Sequence, residues 1–296
     1  MSFDLLLCRN DRTVPSLEEL SAYFQSQPFF SQEDRGTKEA SFWYQNDDTG
    51  VYCHFSSEIP FDTDPALSPG ALSGLSFNLN YVRPSFFAYE SMPLVESFCR
   101  QFNLTAEDPQ EEKAGVAAAD RLIQSWQRHN SRAVTALTHD SDQDVDLRYF
   151  PEERATAWWT YMRQKQSLES NLNEDIFVPS IFLMAGPDNQ IITMTAWPLG
   201  IPQLFPVCDF VFIERKEKRM FGERKESGLI PYGELMQTIS PLLENYKDAA
   251  EIRYLPNSKK EDVVPLIPHL ILRPIELSMY TRLNSDDFHD VEMAIG

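Results

Sequence analysis

The stretch Phe42 to Glu58, FWYQNDDTGVYCHFSSE, constrains the chain most. Two aromatic-rich runs flank Asn46-Asp47-Asp48-Thr49-Gly50, which has the composition of a turn. Aromatic and β-branched residues favour strands, so the segment is expected to form a hairpin. In Val51-Tyr52-Cys53-His54-Phe55 alternate residues share a face, and both faces carry apolar or aromatic side chains. That pattern places the strand inside a sheet rather than at its edge. Phe77, Leu79 and Tyr81 then alternate with polar residues, so 75–83 is expected to pair nearby. A helix starting near Met92, with Pro93 in its first turn, is expected to cover one face through Leu94, Val95, Phe98 and Phe102.

Other local signals are equally concrete. Ser2 to Cys8 reads as a strand, and Ser16-Leu17-Glu18-Glu19 as a capping box opening a helix that Pro28 ends. Residues 104–113 read as an exposed acidic loop. Two helices are expected after it, the second opening at Pro151-Glu152-Glu153, where acids suit the positive end of the dipole. A second hairpin is expected from 176–184 and 191–197 around Gly186-Pro187-Asp188-Asn189, with Pro179 demoting its first strand to an edge or bulge. Pro231 is expected to open a long helix running to Tyr246, and 284 onward reads as frayed.

Strands clustered before helices point to an α+β fold. The expected architecture is two antiparallel-sheet units in β-β-β-α order, with helices between them. The expected divisions are 1–110, 111–172 and 173–296. The shared order raises an internal repeat, although identity between the halves is negligible.

The net charge of −19 bounds the function. Residues 1–150 hold 11 Lys and Arg against 23 Asp and Glu, hence −12, leaving −7 for 151–296. A field of that sign repels nucleic acid and anionic membranes and speeds encounter with basic partners. No apolar run reaches the ~20 residues that span a bilayer, and MSFDLLLCRND reads as neither signal peptide nor anchor, so a cytoplasmic protein is expected. Cys8, Cys53, Cys99 and Cys208 sit apart among apolar residues, as buried free thiols would. Without a C-x-x-C pair no structural zinc is expected, and no cofactor is indicated.

No nucleophile-elbow, zinc-protease, phosphate-loop or dinucleotide fingerprint occurs. His139 to Asp146 alternates carboxylates, but it lacks the glycine and the terminal glutamate of a calcium loop. It reads instead as an exposed acidic loop. Its carboxylates Asp140, Asp142, Asp144 and Asp146, with Glu107, Asp108, Glu111 and Glu112, are the candidate contacts for a basic partner. Cys53 and His54 are adjacent on a strand and face opposite ways, so they cannot act as a pair. Arg83 and Glu90 are expected to form an ion pair at the corner Pro84-Ser85-Phe86-Phe87. Asp209 interrupts an apolar run and must be paired, solvated or shifted. An ion pair with a basic residue of 215–225 and a general acid or base role are the two readings. The charged segment 214–226 itself reads as a solvated strand pair.

The segments NDDTGVYCHF (46–55) and LNYVRPSFFAYE (79–90), with Asp108-Pro109-Gln110 and Trp126, resemble stretches of uncharacterised bacterial proteins found beside secreted polymorphic toxins. Immunity proteins are common in that setting. The resemblance covers mainly residues 40–130, and its motifs are structural, so no site residue carries over. It implies an immunity-type inhibitor that masks the active site of a basic toxin. The competing expectations are a carboxylate-dependent hydrolase built around Asp209, and a secretion adaptor or chaperone.

Overall fold

The computed structural model describes residues 1–9, 13–34, 39–58, 73–111, 113–139, 147–172, 175–219, 222–246 and 249–292. It is an α+β protein. The chain divides into two compact units, 1–156 with 285–296, and 157–284.

The first unit is built on strands β1 (Ser2–Cys8), β2 (Phe30–Asp34), β3 (Ala40–Asn46), β4 (Val51–Ser57), β5 (Leu75–Asn80), β6 (Thr105–Asp108) and β7 (Lys113–Val116). Among the described residues they form one antiparallel sheet in the order β2-β3-β4-β5-β1-β6-β7. The expected hairpin is present, with Trp43 opposite His54 and Phe42 opposite Phe55. As the two-faced pattern implies, β4 is central. Gly50 closes the turn at φ +69°, a conformation glycine adopts without steric cost.

Helix α1 (Leu17–Gln25) starts at the expected capping box, in which Glu19 N–H donates to Ser16 Oγ and Ser16 N–H to Glu19. It and α2 (Phe86–Phe102) cover one sheet face. Phe24 stacks on Phe42 and Phe98 with centroids 4.4 and 5.2 Å apart, and Phe98 lies 4.9 Å from Phe55. These buried rings join both helices to the hairpin. Helix α2 begins six residues before the expected start. β5 ends at Asn80, Val82 turns the chain at φ +61°, and Pro84 to Phe87 form the corner and first turn. Pro93 therefore lies inside the helix.

The expected Arg83–Glu90 pair does not form. Glu90 is 2% exposed and accepts from Tyr44 Oη (2.6 Å), Asn46 Nδ2 (2.8 Å) and Thr49 Oγ1 (3.2 Å). Arg83 instead donates to Tyr52 Oη (2.8 Å) and lies 3.7 Å from Asp286. Helical geometry puts Glu90 on the inward face of α2, above the hairpin turn, and leaves Arg83 on the corner outside.

The expected acidic loop at 104–113 is in fact the β6–β7 hairpin. Helices α3 (Ala119–His139) and α4 (Glu152–Asn171) follow, with the two-residue strand β8 (Arg148–Tyr149) between them. Helix α3 belongs to the first unit and α4 is divided between the two, so 111–172 is not a separate body.

The second unit contains β9 (Phe182–Ala185), β10 (Ile191–Pro198), β11 (Leu204–Phe205), β12 (Phe210–Arg219), β13 (Gly222–Pro231), α5 (Tyr232–Ile239), β14 (Glu244–Tyr246), β15 (Ala249–Tyr254), α6 (Lys260–Val263) and β16 (Thr281–Leu283). Its larger sheet runs β13-β12-β10-β9-β16. Pro179 precedes β9, which has a neighbour on each side and is not an edge. The charged segment is the β12–β13 hairpin, with ion pairs Arg215–Glu226 and Lys225–Glu214. β10 and β12 pair in parallel, whereas β4 and β5 pair antiparallel. The expected shared β-β-β-α order does not hold: β13 intervenes between β12 and α5, and the strand pairing differs. The long helix expected from Pro231 stops at Ile239, because Pro241 turns the next residues into a 3-10 segment. Trp197, Phe205, Val211, Ile213, Leu235 and Leu255 are central to this unit's core.

The chain end returns to the first unit as β17 (Phe288–His289), parallel to β8. It is not frayed through Asp290. Phe288 is fully buried, and Ser285 Oγ donates to Gly50 O at 2.9 Å. A Cβ at Gly50 would fall 2.3 Å from that hydroxyl.

Glu90→Ala is expected to leave three donors without their acceptor and to cost about 3 kcal/mol or more. Urea unfolding of the variant against the parent chain measures this.

Candidate functional site

The most built polar region of the first unit lies at the start of α2. Ser85, its N-cap residue, makes no side-chain capping bond to its own helix. The cap comes from the far end of the chain. Asp290 Oδ2 accepts from Ser85 N–H at 2.7 Å and Oδ1 from Ser85 Oγ at 3.1 Å. A carboxylate there meets the positive end of the helix dipole. The bonds lower the proton affinity of Asp290, but burial outweighs them and raises it from its ordinary 3.8 to about 6. Glu152, at the start of α4, adds repulsion in the same direction. Glu152 accepts from Tyr89 Oη, which in turn accepts from Gln127 Nε2 at 3.0 Å.

The corner beside it is strained. Val82 is β-branched and sits at φ +61°, where such side chains are true outliers. Asn130 of α3 holds it there. Its Oδ1 accepts from Val82 N–H (2.6 Å) and Arg83 N–H (3.4 Å), and its Nδ2 donates to Arg83 O (2.9 Å). Ser85, Gln127, Asn130, Tyr149, Glu152 and Asp290 line a cleft of about 380 Å³. A carboxyl raised to about 6 and a second carboxylate share one polar cleft, next to the strained corner at Val82. That combination suits binding of a hydroxyl- or amide-bearing group, and proton exchange with it. Comparison with protein families, with characterised proteins and with solved structures yields no match.

The residues singled out by sequence fall elsewhere. Asp209 lies one residue before β12. Its Oδ2 accepts from Thr193 N–H (2.7 Å) and Oγ1 (2.9 Å), while its own N–H donates to Thr193 Oγ1 and its C=O accepts from Tyr232 N–H. It serves as a knot joining β10, β12 and α5, and the basic residues Arg215 and Lys225 pair within their own hairpin. Asp140, Asp142, Asp144, Asp146 and Glu112 lie outside the described residues. Glu107 is half-buried on β6. Asp108 and Glu111 are not open contacts. Asp108 is 7% exposed, and Ser125 Oγ donates to both carboxylates at 2.8 and 3.1 Å. Arg128 pairs with Glu111. Strand alternation turns Asp108 inward, which an acidic composition alone does not reveal.

Cys8, Cys53 and Cys99 are buried and Cys208 half-buried, all as free thiols. Burial pushes Cys53, Cys99 and Cys208 up to about 12, so they are poor nucleophiles. In the second unit a cavity of about 770 Å³ is lined by Trp197, Leu199, Phe212, Val264 and Ile267. Its Arg215 is held by Glu226 and by the carbonyls of Ile267 and Leu270.

Burial binds the Asp290 proton more tightly in the folded chain than in the unfolded one, where an aspartate titrates near 3.9. Stability from this group is therefore fully present below about pH 4 and lost as pH rises through 6. Relative to Asp290→Asn, the parent is expected to lose on the order of 2–3 kcal/mol between pH 4 and pH 7. Urea unfolding at unit pH steps reads the difference.

Proposed function

We propose that this protein is an acidic protein-binding module, an immunity-type inhibitor that masks the active site of a basic toxin. The net charge of −19, of which −12 falls in the first 150 residues, carries the reading. Such a field speeds encounter with a basic surface and rejects acidic ones. Glu33 and Asp34 on the edge strand β2, and Asp47 at the tip of the central hairpin, are exposed and contribute to it. No helix among the described residues is long and apolar enough to cross a membrane. The carboxylates Asp140, Asp142, Asp144 and Asp146 remain the proposed contacts, while Asp108 and Glu111 are committed inside the first unit. A secretion adaptor would bind the same kind of partner, and the partner's fate separates the two: inhibited, or merely escorted.

A second reading is favoured by one observation, the carboxyl of Asp290 raised to about 6 beside Glu152. A carboxylate-dependent hydrolase needs such an acid and a second carboxylate, and this cleft holds them where Asp209 does not.

Tagged protein expressed in its own host is expected to retain one stoichiometric basic partner at low salt and to lose it as salt rises. Replacing Asp140, Asp142, Asp144 and Asp146 together by Asn is expected to slow association about tenfold at low salt. Retention of nothing at either salt counts against the binding reading. Turnover by the parent that disappears in Asp290→Asn would then support the second.

A further inference from the structure

The β6–β7 hairpin and α3 bring together three side chains of metal-ligating type. Asp108 ends β6, Glu111 lies in the tight turn after it, and His129 lies on α3. One ligand atom from each falls within 4.8 Å of the others. Ser125, Arg128 and His129 stand at i, i+3 and i+4 and so present to one side of the helix.

The histidine is the decisive observation. Its Nε2 is buried and, among the described residues, has no hydrogen-bond partner. It points at Glu111 Oε1 from 4.0 Å, beyond hydrogen-bond length. A buried ring nitrogen left unmet carries a desolvation cost. A cation between the two atoms would satisfy both.

The surroundings are those of a ligand set. Ser125 Oγ donates to Asp108 and to Glu111, as outer-sphere groups do when they orient ligating carboxylates. Asp108 is further fixed by the N–H of Gln110 at 3.0 Å. Both carboxylates and Ser125 border a cavity of about 230 Å³, which Arg121 and Arg128 also line and His129 does not. Arg128, which pairs with Glu111, is half exposed and can return its charge to solvent when a cation replaces it.

We propose that Asp108, Glu111 and His129 bind a divalent transition metal of the Zn²⁺ kind. Two carboxylates and one imidazole suit Zn²⁺ better than Mg²⁺ or Ca²⁺, which favour oxygen alone. Zn²⁺ at ~2.0–2.2 Å from each atom requires the three to close by roughly 1 Å. The negative net charge raises the local concentration of any cation. The site is independent of the proposed partner, and its occupancy would tie the sheet edge to α3.

The test uses the full chain, stripped with EDTA and dialysed, then titrated with ZnCl₂ by calorimetry and by thermal melting. One equivalent of Zn²⁺ is expected to bind and to raise the melting temperature, with Mg²⁺ giving no such rise. Losing even an outer-sphere partner commonly weakens affinity 10–100-fold, so His129→Gln and Asp108→Asn are each expected to weaken binding by at least about tenfold. His129→Gln removes only a partly exposed ring, so it keeps the test open if the buried Asp108 variant misfolds. Absence of Zn²⁺ binding to the parent overturns the proposal. So does unchanged affinity in folded His129→Gln, which would place the ion elsewhere.

Discussion

The buried carboxylate of Glu90 is the interaction on which the first unit depends. A charge in an aromatic interior is costly unless its lone pairs are met, and three donors from the β3–β4 hairpin and its turn meet them. Tyr44 is the end of the aromatic run, Asn46 opens the turn and Thr49 closes it. One side chain on α2 therefore anchors the end of β3 and the turn that follows it. Burial, reinforced by this carboxylate, pushes the Tyr44 hydroxyl well above its ordinary range, so it stays a donor at any physiological pH. The ring cluster of Phe24, Phe42, Phe55 and Phe98 adds area to the same joint, but rings alone tolerate sliding and rotation. The directional bonds to Glu90 remove that freedom.

Fixing α2 in this way forces the sharp corner before it. The chain must leave β5 and enter the helix within a few residues, which puts Val82 in the left-handed region. Asn130 meets the backbone groups that the corner exposes, and Asp290 supplies the cap that Ser85 does not make for itself. The cleft is thus a by-product of closing the fold. Its polar groups converge because strained backbone needs partners, and the same convergence makes it a place where a ligand could bind.

Electrostatics unite the functional readings. A chain this acidic gains encounter rate with anything basic and concentrates cations near its surface. Where carboxylates are exposed, as on β2, they serve the long-range field. Where they turn inward, as Asp108 does, they must find hydrogen bonds, a paired arginine or a metal. Burial separates these roles, and composition treats them alike.

Local signals in the sequence determined much of this protein: the central hairpin and its glycine turn, the capping box at Ser16, the strand at 2–8, the acidic start of α4 and the charged β12–β13 hairpin. Each follows from neighbouring residues, through alternation, capping or turn chemistry, so each was legible without tertiary contacts. The tertiary structure alone decided the rest. It began α2 at Phe86 rather than near Met92, and it made the acidic loop expected at 104–113 part of the β6–β7 hairpin. It also paired β10 with β12 in parallel and returned the chain end to cap Ser85. The candidate cleft and the Asp108–Glu111–His129 set were hidden for the same reason. Their members lie from 3 to 205 positions apart, and side-chain convergence over such separations leaves no periodicity in the chain. What brings them together is burial, which depends on the packing of whole elements rather than on neighbours in sequence.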